Sequence, residues 1–146
     1  MRLWHKYLIP VLPKQQLVAQ WRELSAISGK LSLVGSPQHL LVNKITKYEW
    51  LHFINYVNIV RVELKLRKIH TNDNVYEKIY KQSKEAFDKF THHLMPYEGR
   101  AFEGWHDDRY LKQCYYNLQE KYDCGGITSE EFAKIERVVH QHVSCV

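Results

Sequence analysis

Glycine and proline are scarce in this sequence, with 6 and 4 among 146 residues. Together with 45% apolar and 25% charged residues, this excludes a collagen-like, low-complexity or disordered chain. No run approaches the roughly 18 consecutive apolar residues of a membrane span, and the N-terminus carries no signal-peptide core. We therefore expect a soluble globular protein, and a chain of this length can bury a sizeable core.

Cysteine is also rare. There are three cysteines and no Cys-x-x-Cys spacing: Cys114, Cys124 and Cys145. An odd number cannot pair fully within the chain, so reduced thiols in a cytoplasmic protein are the simplest expectation. His140 and His142 next to Cys145 suggest a metal site, but no spacing here matches a zinc finger, and we predict neither metal nor cofactor.

Acidic residues are few in the first half of the chain. Residues 1–68 carry 11 Lys and Arg against 3 acids, a net charge of +8, whereas residues 69–146 carry 10 against 13, a net charge of −3. A polyanion such as DNA would be attracted to the first half, because basic side chains release counterions when they bind phosphates. The alternative is that these lysines and arginines only keep the surface soluble.

Hydrophobic periodicity predicts two helices in the first half. The first runs from about Lys14 to Ser28 and ends at Gly29, and a second, longer helix runs from Lys47 to about Lys68. The stretch between them, from Leu31 to Asn43, is expected to be an irregular loop.

Turn clusters and cap residues predict three further helices. They run from the turn cluster at 70–74 to near His93, from a cap at Asp107 or Asp108 to Gly125-Gly126, and, behind a capping box at Thr128, from Glu131 to about His142. No segment alternates for long enough to require a strand. The predicted fold class is therefore all-α, a single compact domain over residues 1–146 with about five helices.

Arg22 and Glu23 stand side by side on the first predicted helix, flanking its buried stripe. Small and apolar neighbours one turn away suggest that the Glu23 carboxylate lies in a shallow, partly desolvated pocket. Met1 is expected to be retained because Arg2 is a large second residue, which leaves the amine of Met1 free. An α-amino group has an ordinary pKa of about 7.7 to 8.0 against about 10.4 for lysine, so it is a usable nucleophile near neutral pH.

Several segments carry a resemblance to a known family. They are the start Met1–His5, the run Gln15–Leu24, the tripeptide Asn55–Val57 and the segment Trp105–Tyr110. In these segments the chain resembles the pyrimidine-dimer DNA glycosylases of the phage endonuclease V type, and most closely their bacterial branch.

The resemblance implies a compact helical DNA-repair enzyme that needs no metal. It would extrude a nucleotide from damaged duplex DNA, attack C1′ through its N-terminal amine to form a Schiff base, and cleave the abasic strand as a lyase. On this resemblance Met1 is the nucleophile and Glu23 the essential carboxylate, while Arg2 and Arg22 contact DNA. Gln16 stands where the phage enzyme has a histidine, so the lesion stays open between pyrimidine dimers, abasic sites and another damaged base.

Other residues are weaker candidates. Trp4 lies next to the proposed nucleophile and is expected near DNA, and the basic run that includes Arg61 and Lys65 suits backbone phosphates. His106 and Asp107 are secondary site candidates, although a helix cap explains them better. The competing hypothesis for the whole chain is a non-catalytic helical module that binds nucleic acid or protein through its basic half.

Overall fold

The computed structural model of this protein describes residues 1–143. Over this range the chain forms five α-helices and two 3₁₀ segments. The α-helices are α1 (Lys14–Val34), α2 (Trp50–Leu66), α3 (Asp73–Asp88), α4 (Asp108–Asp123) and α5 (Ser129–His142), and the 3₁₀ segments are Lys6–Val11 and Val42–Lys47. No strand occurs between residues 1 and 143, only an isolated bridge between Tyr48 and Met95. The all-α class with about five helices is confirmed.

The first helix is longer than predicted. Gly29 lies inside α1, and the helix ends at Gly35, whose φ of 74° is left-handed and whose N–H bonds to the carbonyl of Leu31. The buried stripe continues past Gly29 through Leu31, and α1 packs along α3, so tertiary packing outweighs the low helix propensity of one glycine. The expected loop from residue 31 is therefore helical up to Val34, and Arg22 and Glu23 lie near the middle of α1.

The second and third predicted helices are shorter in the structure. The stretch up to Lys47 forms a separate 3₁₀ segment, so α2 begins at Trp50 instead of Lys47. The third helix, α3, ends at Asp88, five residues before its predicted end near His93. Both errors fall at helix ends, which hydrophobic periodicity locates poorly.

The predicted caps of the later helices are confirmed. The Asp107 side chain accepts the N–H of Tyr110 at 2.8 Å and caps α4, and Asn72 caps α3 in the same way. Thr128 and Glu131 form the reciprocal capping box of α5, with bonds of 3.1 and 3.0 Å. Here the sequence signal is local, so the prediction did not depend on tertiary packing.

α1 lies at the centre of the packing, since it contacts both α2 and α3, while α4 and α5 pair with each other. The 3₁₀ segment Lys6–Val11 packs against α2 and α5 and so joins the two groups. Its residues Leu8 and Ile9 are fully buried. No helix within residues 1–143 has the length and apolar character needed to cross a bilayer.

Replacing Thr128 by Ala should lower the free energy of unfolding by about 1 kcal/mol, because the N–H of Glu131 loses its acceptor. Urea unfolding monitored by circular dichroism measures the change. Thr91→Ala is a suitable control, since Thr91 is exposed between helices. Equal stability of the two variants would contradict a working capping box.

Candidate active site at the N-terminus

The chain start is held inside the protein rather than left free at the surface. Leu3, Trp4 and His5 are all buried, while the side chain of Met1 is 45% exposed. The first few residues of most domains are poorly ordered unless something ties them down. The contacts that fix residues 2–4 therefore determine where the terminal amine lies.

The amide of Gln20 makes the central contact. Its Nε2 donates to the carbonyl of Arg2 at 2.9 Å, and its Oε1 accepts the N–H of Trp4 at 2.8 Å. Gln20 itself is 1% exposed and projects from α1. One side chain thus pairs with the backbone on both sides of Leu3, as a neighbouring strand would.

Two tyrosines complete the hold on the chain start. The Tyr56 hydroxyl donates to the carbonyl of Trp4 at 2.6 Å, and its 3.1 Å contact with Gln20 Oε1 is secondary because the hydroxyl has one proton. The Tyr110 hydroxyl donates to the carbonyl of Leu3. Burial raises the pKa of both phenols well above the usual range, so both stay protonated donors.

The carboxylate of Glu23 contacts the backbone next to Met1. Its Oε2 accepts the backbone N–H of Arg2 at 3.3 Å, one turn along α1 from Gln20. Three covalent bonds separate that nitrogen from the amine of Met1, so bond lengths alone place the amine within about 8 Å of Oε2. The 3.3 Å bond is long, and Glu23 has no ion pair among residues 1–143, which leaves the carboxylate able to bind a substrate.

Glu23 is half-buried and lines an open cleft of about 420 Å³. The cleft is bounded by the side of α1, the indole of Trp4 and the turn between α4 and α5. Its lining residues are Trp4, Gln15, Gln16, Ala19, Glu23, Lys121, Cys124 and Gly126. The shallow pocket predicted around Glu23 is present and Trp4 belongs to its lining, while a contact of Trp4 with DNA stays a prediction.

Arg22 lies next to this cleft rather than in it. It is exposed and lines an adjoining depression that shares Gln15, Gln16 and Gly126 with the first. Arg2 is half-buried, and its guanidinium carbon lies 5.3 Å from the centre of the Trp4 ring. Arg22 therefore brings positive charge to the surface beside the cleft, while Arg2 lines neither depression and lies near Trp4, Tyr110 and Cys114.

Arg61 and Lys65 lie elsewhere, and neither lines the Glu23 cleft. The Arg61 guanidinium pairs with Asp73 at 2.8 Å and stacks on Tyr76 at 3.9 Å, which ties α2 to α3. Lys65 is exposed and lines a separate, polar depression at the end of α2. Of this predicted pair, only Lys65 has a charge without a partner among residues 1–143.

His106 and Asp107 also lie outside the cleft lining. His106 is buried against His5, with 5.0 Å between the ring centres, and its Nδ1 accepts the N–H of Lys6 at 3.0 Å. Burial lowers the pKa of His5 to about 4 and that of His106 well below its usual range, so both are neutral near pH 7. Together with the cap formed by Asp107, these contacts hold the N-terminal segment against the start of α4.

The sequence reasoning assigned no role to Gln20, Tyr56 and Tyr110, which hold the chain start, or to Lys121 and Cys124, which line the cleft. Gln20 could have been identified from the sequence, because it is a polar residue three positions after Leu17 on the buried face of a helix. Lys121 and Cys124 could not, since their position near Glu23 depends on how α4 packs. Between residues 1 and 143 no group of three metal-binding side chains is found, and Cys145 lies outside the described residues.

Comparison with known proteins supplies one match. The model of a family described as pyrimidine dimer DNA glycosylase matches residues 1–77. The matched range contains the chain start, α1 and α2, and so includes Glu23 and Gln20. No curated protein and no solved structure matched.

Replacing Gln20 by Leu should lower the free energy of unfolding by about 3 kcal/mol, because the buried N–H of Trp4 and the carbonyl of Arg2 lose their partner. Gln15→Leu, on the exposed side of the same helix, should change it by less than about 0.5 kcal/mol. Urea unfolding of both variants measures the difference. A loss as small as that of the control would show that the amide does not hold the chain start.

Acid should destabilise the protein through His5. Its folded pKa of about 4 lies below the unfolded value of 6.5, so the unfolded state binds more protons. The stabilisation by neutral His5 is complete above about pH 6.5 and is lost as the pH falls toward 4, amounting to about 3 kcal/mol.

The variant His5→Asn keeps an acceptor for the N–H of Tyr7 but does not titrate. Its urea midpoint should change less between pH 7 and pH 4 than that of the wild type. His70→Asn, at an exposed histidine, is the control and should retain the wild-type dependence. Parallel pH profiles for His5→Asn and the wild type would contradict the role of His5.

Proposed function

Since the chain belongs to the pyrimidine dimer DNA glycosylase family, we propose that it excises a damaged base from duplex DNA and cleaves the resulting abasic strand through a Schiff base on Met1. The observation that carries the proposal is the bond from the Arg2 N–H to Glu23. This bond ties the Glu23 carboxylate to the backbone one residue after the proposed nucleophile. Glu23 lines an open cleft rather than the core.

The terminal amine is the nucleophile in this proposal. Its lone pair attacks C1′ of the deoxyribose, the bond from C1′ to the base breaks, and the base leaves with the bonding electrons and gains a proton. Loss of the C1′–O4′ bond then gives an iminium ion between Met1 and the open sugar. The buried segment from Leu3 to His5 holds the amine in place, so little ordering is required when DNA binds.

Glu23 has two tasks in the proposed reaction. Its negative charge stabilises the positive charge that develops on the sugar as the base departs. It then accepts and returns protons as the iminium forms, and as a C2′ proton is lost and the 3′ phosphate leaves. Water hydrolyses the product iminium and restores the free amine of Met1.

The surroundings of the cleft suit a DNA strand. Arg22 on the adjoining surface and Lys121 in the cleft provide cations at the rim, where phosphates would pass. The indole of Trp4 offers a flat apolar wall for an extruded nucleotide. The net charge of +8 over residues 1–68 favours the approach of duplex DNA to this half of the chain.

Borohydride trapping tests the proposal directly. Untagged protein is mixed with duplex DNA that holds one abasic site, and a second sample uses DNA with one pyrimidine dimer. Borohydride should reduce the iminium to a stable amine, and peptide mapping should place the adduct on Met1. An N-terminal extension should abolish the adduct, because it converts the amine into an amide.

Glu23→Gln should slow adduct formation and strand cleavage by at least about 100-fold while leaving DNA affinity within about twofold. Glu77→Gln, at an exposed carboxylate on α3, makes the same change of charge outside the cleft and should keep the activity. If neither DNA gives an adduct, or if the extended protein still gives one, the Schiff base on Met1 is wrong. Tight binding of undamaged DNA without any adduct would support the non-catalytic binding module instead.

A further inference from the structure

Four large aliphatic side chains are exposed together at the far end of α1. They are Leu33, Val34, Leu40 and Leu41, and we call them the apolar tip. Leu40 is 91% exposed and Leu33 81% exposed, the highest values among the large hydrophobic residues described. Single exposed leucines are common, but a cluster of four across nine residues indicates a contact surface.

The loop that carries the apolar tip is rigidly built. The carbonyl of His39 accepts the N–H groups of Val42 and Asn43 at 3.1 and 2.7 Å, and the Asn43 side chain accepts the N–H of His39 at 3.1 Å. Gln38 takes a left-handed φ of 54°, and its N–H donates to the Ser36 hydroxyl. This turn holds the backbone of Leu40 in place while its side chain points into solvent.

The surroundings of the apolar tip favour a polyanion. From Leu24 to Tyr48 the chain carries Lys30, Lys44 and Lys47 and not one Asp or Glu. All three lysines are exposed. A positively charged surface that bears protruding leucines matches proteins that press an apolar side chain between base pairs in the minor groove.

One residue of the apolar tip, Val34, lies on the same side of α1 as Glu23. Val34 follows Glu23 by 11 residues, which is three turns of helix, so both project from the same side of α1, and Lys30 lies between them. Along the helix axis the separation is about 16 Å. At about 3.4 Å per base pair this distance equals roughly five base pairs of duplex.

We propose that the apolar tip is a second DNA contact that wedges Leu40 and Leu41 against a base step several base pairs from the nucleotide held at Glu23. The inference rests on the proposed function, because it places the duplex across the same side of α1. Unstacking at the tip bends the duplex, and the bend favours extrusion of the damaged nucleotide into the cleft. An already single-stranded substrate needs no such bend.

The test compares the wild type with the double variant Leu40→Ser, Leu41→Ser on two substrates. One is a duplex with a single abasic site, and the other is the same abasic strand without its complement. The double variant should lose about tenfold in the rate of borohydride adduct formation on the duplex and should keep the wild-type rate on the single strand. Leu66→Ser, at another exposed leucine on α2, is the matched control and should behave as the wild type on both.

A second measurement follows the base step itself. With 2-aminopurine placed in turn at each position from three to eight base pairs from the abasic site, the wild type should raise the fluorescence at one or two neighbouring positions, because unstacking relieves quenching. The double variant should leave the fluorescence unchanged, and Leu66→Ser should raise it as the wild type does. The wedge is wrong if the double variant equals the wild type in adduct rate and in fluorescence. It is also wrong if the adduct rate of the double variant falls equally on the duplex and on the single strand.

The two proposals can fail separately. Absence of any adduct with the wild type on both substrates would overturn the Schiff base, while fluorescence dependent on the apolar tip would still support the wedge. Two experiments test whether something other than DNA binds the apolar tip. Flotation with vesicles containing anionic phosphatidylglycerol tests a membrane surface, and sedimentation of the protein alone tests a second copy of the chain. Vesicle binding or dimerisation that depends on Leu40 and Leu41, without any effect on the duplex, would overturn DNA as the partner of the apolar tip.

Discussion

The pairing of the Gln20 amide with the backbone of Arg2 and Trp4 is the interaction on which the rest of the site depends. A chain terminus is ordinarily mobile, and a mobile amine would have no defined distance to any catalytic group. Here the amide is buried, so the bonds are shielded from competition with water and a missing partner would be costly. The position of the amine of Met1, the bond to Glu23 and the placement of Trp4 in the cleft all follow from this contact.

The N-terminal segment is supported from two directions. α1 supplies Gln20 and Glu23 from one side, while Tyr110 of α4 and the buried pair His5 and His106 support it from the other. Burial keeps the tyrosines protonated and the histidines neutral, so the interior behind the site holds no net charge from these groups near pH 7. Glu23, Arg22 and Lys121 place their charges on the outer side, where they border the cleft and the depression beside it.

α1 serves as the axis of the proposed DNA-binding surface. Glu23, Lys30 and Val34 recur at intervals that keep them on one side of a straight helix, and the turn after Gly35 carries Leu40 and Leu41. The buried stripe that packs on α3 lies about a quarter turn away around the helix. One element thus combines the core contact with the candidate chemical centre, so the spacing between the carboxylate and Val34 is set by helix geometry rather than by a flexible loop.

Local signals in the sequence determined the number of helices, the caps at Asn72, Asp107 and Thr128, and the placement of Arg22 and Glu23 beside a buried stripe. Each depends on residues within a few positions of one another, which periodicity and capping rules describe. Tertiary structure decided that α1 continues through Gly29, that Arg61 is bound to Asp73, and that Lys121 lines the same cleft as Glu23. These features depend on contacts between residues distant in sequence, and no local pattern contains that information.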